Sequence, residues 1–82
     1  MRGFALAVNA EHGCAAVEYG DDRYAIVELA NLHDIEQEDF VEGDLTTRGE
    51  VVLYNASQER RVAVSVRRTA CTMIEALAAA EA

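Results

Sequence analysis

The chain has no tryptophan, no lysine and no proline, and it spreads five aromatic residues and two cysteines over 82 positions. With so few rings, a core must be assembled from valine, isoleucine and leucine, padded by alanine. No apolar run approaches the roughly 18 residues of a membrane span, and no charged segment leads into an apolar one at the start. The expectation is a soluble, cytoplasmic protein without a membrane partner. Cys14 and Cys71, 57 positions apart, are then free thiols, although a bridge between them would close a long loop. Internal repeats are also lacking, and the length suits one small domain of modest stability.

Because lysine is absent, all seven basic residues are arginine, and fifteen carboxylates bring the formal charge to −8. Such a charge opposes nonspecific attraction to nucleic acid or an anionic membrane. The distribution is uneven, since thirteen carboxylates precede residue 60 while Arg60, Arg61, Arg67 and Arg68 cluster after it. A polyanion would have to meet those four, which are the candidate anion contacts. They sit among many carboxylates, so pairing with the protein's own acids is the competing role.

What is present reads as short strands. Phe4 to Val8 alternates larger Phe4, Leu6 and Val8 with small Ala5 and Ala7, the period of a pleated strand. Asn9 to Gly13 turns the chain, with glycine free to take a positive φ and Asn9 able to bond its own backbone. Cys14 to Tyr19 forms strand two, Gly20-Asp21-Asp22 a hairpin turn, and Tyr24 to Leu29 strand three, with Ile26 expected to face inward. Ala30 to Glu42 is the most acidic segment and reads as a short helix or an irregular connection pinned by Leu32, Ile35 and Phe40.

Leu45 to Tyr54 follows as a long strand interrupted at Gly49, where a lone glycine marks a bulge or bend. After a polar loop, Arg61 to Val66 sets Val62, Val64 and Val66 on one face. Thr72 to Glu75 fits a capping box, predicting a helix from about Met73 to the end with a stripe of Ile74, Leu77 and Ala78. The expected fold is all-β: a small five-stranded barrel over residues 1–68, of the kind that binds oligonucleotides or oligosaccharides (the OB barrel), with a C-terminal helix in 69–82.

Residues 3–17, GFALAVNAEHGCAAV, resemble the opening of bacterial cold-shock domains, G-x-V-K-W-F-N-x-x-K-G-F-G-F-I, with Gly3, Asn9 and Gly13 at the same spacing. Residues 24–28, YAIVE, fall where that family has V-F-V-H-F, and Glu42-Gly43-Asp44 where it has E-G-Q, so the resemblance covers about residues 3–54. It implies a β-barrel and single-strand binding by base stacking on aromatic side chains, each stack worth about 1–3 kcal/mol. Here the stacking positions hold Ala7, Val8, Cys14, Ala16, Ala25, Val27 and Glu28, and the motif's two lysines are Leu6 and His12. The resemblance therefore implies the scaffold without its activity.

Three roles follow as expectations. In the first, Ala7, Cys14, Ala16, Ala25 and Val27 make an apolar face that the terminal helix covers or that meets a protein partner or second copy, giving a noncatalytic binding or assembly module. In the second, the Arg60–Arg68 region binds single-stranded nucleic acid weakly, with Tyr19, Tyr24 or Tyr54 stacking. In the third, Asp34 to Asp44 mimics phosphates toward a nucleic-acid-binding protein. His12 and Cys14 supply two ligands at best, the acidic segment lacks EF-hand spacing, and neither Cys14 with His33 nor Ser57 with His12 is placed to make a catalytic pair, so no metal, cofactor or enzymatic activity is expected.

Overall fold

The computed structural model describes the backbone of residues 1–81 and the side chains of residues 1–79. Six antiparallel strands, β1 (Arg2–Asn9), β2 (Cys14–Gly20), β3 (Arg23–Leu29), β4 (Phe40–Glu42), β5 (Gly49–Asn55) and β6 (Arg60–Cys71), precede one helix, α1 (Met73–Glu81). They close into a barrel in the order β1-β2-β3-β6-β5-β4. Two three-stranded meanders are thus joined by the acidic connection after β3.

The sixth strand is the difference from the sequence expectation. β4 has three residues inside the acidic segment, yet it pairs with β1 through Gly3↔Val41 and with β5 through Val41↔Asn55, and so closes the ring. Residues 30–39 form bends and turns without a helix, β5 begins at Gly49 rather than Leu45, and β6 runs on to Cys71. The barrel consequently ends three residues later than position 68. Gly49 sits at φ 117° where the chain enters β5, and Gly13 at φ 64° in the β1–β2 turn, both values that suit glycine.

The interior is filled from every strand. Ala5, Ala15, Val17, Ala25, Val27 and Leu29 face in from the first meander, against Val41, Leu53, Val62, Val64 and Val66 from the second. Ile35 and Leu45, both fully buried, lie in connections at opposite ends and stopper the barrel. Gly3 is needed for space, because a Cβ there would lie 2.6 Å from Val17 Cγ1 and 2.7 Å from Leu45 Cδ1.

Ile26 faces outward, contrary to expectation. It sits opposite Ala16 across β2–β3 and joins Tyr24, Cys71 and Ala76 in a second apolar cluster outside the barrel, beneath α1. Residues directly opposite in a ladder share a face. Val17 opposite Ala25 therefore marks the inner face and Ala16 opposite Ile26 the outer one.

The capping box of α1 is formed as read. Glu75 N donates to Thr72 Oγ1 (3.2 Å) and Thr72 N to Glu75 Oε1 (3.0 Å), while Met73 N donates to Asp22 Oδ1 (2.9 Å), tying the helix start to the β2–β3 turn. That anchoring rotates Ala76 and Ala79 onto the barrel and leaves Ile74 79% exposed, so of the expected stripe Ile74 and Ala78 are exposed and Leu77 is half-buried. Alanine lets the helix axis come close. The last residue of the expected helix, Ala82, lies outside the described residues.

The acidic connection is held by side chains from the β5–β6 hairpin. Asn55, fully buried, donates from Nδ2 to Asp34 O and to Asp39 Oδ2 (2.9 Å each), and Gln58 Nε2 and Glu36 N also donate to Asp39 Oδ2. Burial pushes the Asp39 carboxyl up. The hydrogen bonds and the nearby Arg60 outweigh this and hold it below the usual carboxylate range.

A carboxyl lowered on folding adds stability above its unfolded value near 4 and loses it as pH falls through the folded one. Asp39→Asn is accordingly expected to lose about 1 kcal/mol at pH 7, and urea denaturation should show the gap to wild type shrinking as pH falls below about 4. Ala70 gives a prediction of opposite sign. It is held at φ 55° with its N–H bonded to Tyr19 Oη (2.8 Å), so Ala70→Gly keeps the bond, relieves the left-handed strain and should add about 1 kcal/mol in the same assay.

Candidate binding face

The five residues expected to form one apolar face are divided by the barrel wall. Ala25 and Val27 point into the interior, Ala16 and Ala7 lie against α1, and Cys14 is half-buried. The reason is strand parity together with an irregularity between Ala5 and Ala7 in the β1–β2 ladder, which a count of small residues does not reveal. α1 thus covers the outer wall of β2 and β3. Both cysteines are free thiols, and the Cys14 thiol is pushed up by burial and then by the Glu28 carboxylate opposite it.

The four late arginines do not form a cationic cluster. Arg60 Nη2 pairs with buried Asp34 Oδ1 (3.3 Å) and donates to His33 O; Arg67 Nε and Nη2 both reach Glu28 Oε2 (3.1 and 2.9 Å); Arg68 Nη2 lies 3.6 Å from Glu75 Oε2. Exposed pairs of this kind add little stability, but they neutralise the charge. Among the described residues only Arg61 of the four has no ion-pair partner.

Of the three tyrosines considered for stacking, two are engaged elsewhere. Tyr24 is buried and donates to Glu18 Oε2 (3.0 Å); Tyr19 Oη bonds Thr69 Oγ1 (2.8 Å) and accepts from Ala70 N. Tyr54 remains open, on β5. The remaining rings pair with each other, Phe4 and Phe40 having centroids 5.2 Å apart with the Arg2 guanidinium over Phe40.

The acidic segment is also partly turned inward. Asp34 is buried against Arg60 and Asp39 is bound by Asn55 and Gln58, while Asp44 is held down to about 2 by hydrogen bonds from Thr46 and Thr47. His33 Nδ1 stands 3.8 Å from Glu36 Oε1, and Ser57 Oγ accepts from Phe40 N (2.9 Å). No group of three or more His, Cys, Asp or Glu residues suited to a metal ion occurs among the described residues.

What stays open and apolar is the outer wall of β5 and β6. Its rungs are Glu50↔Ser65, Val52↔Ala63 and Tyr54↔Arg61, and alternation sends all six side chains outward while Leu53, Val62 and Val64 fill the core. Val52 is 63% exposed and Tyr54 40%. Beside Val52 runs a shallow cleft of about 510 Å³, walled by Glu28, Ala30, Glu50, Ala63 and Ser65 and reaching to the third strand. Sequence reading passes over this face because Val51-Val52-Leu53-Tyr54 is apolar throughout and conceals which residues point in; only the alternation on β6, with Ala63 between valines, carries the signal.

The exposure of Val52 can be measured by its insensitivity. Val52→Ala is expected to change stability by less than about 0.5 kcal/mol, whereas Leu53→Ala, one residue on and fully buried, should lose about 2–5 kcal/mol in chemical denaturation. Comparison with protein-family models, with curated proteins and with solved structures found no match.

Proposed function

We propose that this protein is a noncatalytic binding module that seats a protein partner on the outer wall of β5 and β6. One observation carries the reading: Val52, a large apolar side chain 63% exposed, stands mid-sheet beside the cleft instead of at a loop tip. The strands close into a ring, so the sheet has no edge strand, although β4 pairs with β5 only at Val41↔Asn55 and Glu42↔Tyr54. Recognition then rests on side chains alone. The Glu50 carboxylate in the cleft wall, on a chain of net charge −8, favours a partner that brings an apolar group flanked by positive charge.

The scaffold itself we assign to the OB-like class, with the cold-shock resemblance of residues 3–54 as its sequence trace. In support stand the opening meander, the crossing connection and the final hairpin. Of the positions where the family stacks bases, Ala7 and Ala16 lie under α1 while Ala25 and Val27 face the bore, so no stacking wall is carried over. Single-stranded nucleic acid is the second reading, favoured by the rung that sets Tyr54 opposite unpaired Arg61 and opposed by the net charge. The free thiols fit a cytoplasmic location. No helix among the described residues is long and apolar enough to cross a membrane.

The test is retention of proteins from a lysate on immobilised wild type, Val52→Asp and Thr47→Asp, the last an exposed site off this wall. Bands kept by wild type and Thr47→Asp but lost by Val52→Asp are expected. Identical patterns for all three would refute the assignment of this wall.

A further inference from the structure

We infer that the partner seated on this wall is a second copy of the chain, related by a two-fold axis that lies in the plane of the wall and crosses the strands at the Val52↔Ala63 rung. The inference rests on the binding role proposed above and names its occupant. A two-fold contact puts the same patch on both sides, so the patch must be complementary to itself. This wall has the required pattern along its strands: a carboxylate, an apolar centre, a guanidinium.

Glu50 lies two residues to one side of Val52, and the Tyr54↔Arg61 rung two residues to the other, each about 7 Å from the centre at about 3.3 Å per residue. The neighbouring charges are mixed at both ends, so the polarity is carried by Glu50 and Arg61 themselves. Near Glu50 stand Glu28 and the Arg67 bound to it, with Arg48 lining an adjoining cleft beside Ser65 and Arg67. Near Arg61, Glu42 pairs with Tyr54 and with Arg2, and Glu59 lies two residues before it in the β5–β6 turn.

The two-fold axis reverses this order. It lays Val52 and Ala63 of one copy on those of the other and brings Glu50 to Arg61 at both ends, with the strands of the two walls antiparallel. To bring Glu50 and Arg61 into line, which lie on adjacent strands about 4.8 Å apart, the axis must tilt about 20° from the perpendicular to the strands. The two walls then cross at about 40°, close to the roughly 30° at which sheets pack face to face. Ala63 leaves room at the centre for the two Val52 side chains. Arg61 would gain the carboxylate partner it lacks within its own chain. The charge of −8 on each copy opposes the contact, but at 0.15 M salt it is screened beyond about 8 Å, while the Glu50–Arg61 pairs act inside that range.

Sedimentation equilibrium of the full chain in 0.15 M salt tests this. The expected mass rises with concentration from 8.9 kDa toward twice that value. Val52→Asp, Glu50→Arg and Arg61→Glu should each weaken dimerisation at least about tenfold. The double variant Glu50→Arg/Arg61→Glu should recover it, and an equimolar mixture of the two single charge variants should form mixed dimers that neither forms alone. A wild type that stays monomeric up to about 1 mM, or a double variant no better than the singles, overturns the second copy as occupant. Neither result touches the selective retention of other proteins that depends on Val52, which fails or survives by its own comparison with Thr47→Asp.

Discussion

The bore of a six-stranded barrel constrains the rest of this molecule. Eight strands enclose an interior that side chains just fill, and six enclose less. The chain meets the narrower bore by filling its first meander with Gly3, Ala5, Ala15 and Ala25, leaving the volume to Ile35, Leu45, Leu53 and the valines of β6. The alanine content that makes the composition look weakly hydrophobic is therefore a packing solution. Enlarging any of these small residues would meet a wall of close-packed neighbours, and overpacking typically costs about 1–3 kcal/mol.

The same small residues serve a second purpose on the outside. Ala16, with Ala7 beside it, keeps the outer wall of β2 flat enough for α1 to lie on it through Ala76 and Ala79. Once that wall is covered, the exposed large apolar side chains of the strands are Val52 and Tyr54 on β5 and Phe40 on β4. The arginines follow a similar division, with Arg60, Arg67 and Arg68 joining separate elements by ion pairs and Arg61 facing solvent. A basic run in the sequence becomes three tethers and one unpaired charge.

Much of this was legible before any coordinates. The turns at Gly13 and Gly20, the alternation of β6 and the reciprocal Thr72–Glu75 cap are local signals, and local chemistry decides them. Strand β4 was hidden because three residues are too short for a period to register and its partners lie far away in sequence, as in Arg2↔Glu42. The facing of Ile26 is hidden for a related reason: Tyr24 to Val27 is buried on both sides, by the bore and by α1, and a strand buried twice has no polar side to mark the outside. Ala7, Cys14, Ala16, Ala25 and Val27 fall on different faces because apolar composition, without parity, cannot separate a side chain in the bore from one under a helix.

The short strand that closes the ring has a consequence beyond its size. β4 contributes three residues, yet without it β1 and β5 each become a bare edge of seven or eight residues. Detachment of this one seam changes the topology from a cylinder to an open, curled sheet, the form in which strands can pair with those of another molecule. Cooperativity is therefore concentrated where the sequence looks least structured. The hydrogen bonds that Asn55 and Ser57 make to Asp34, Asp39 and Phe40 fasten that seam from outside the ladder.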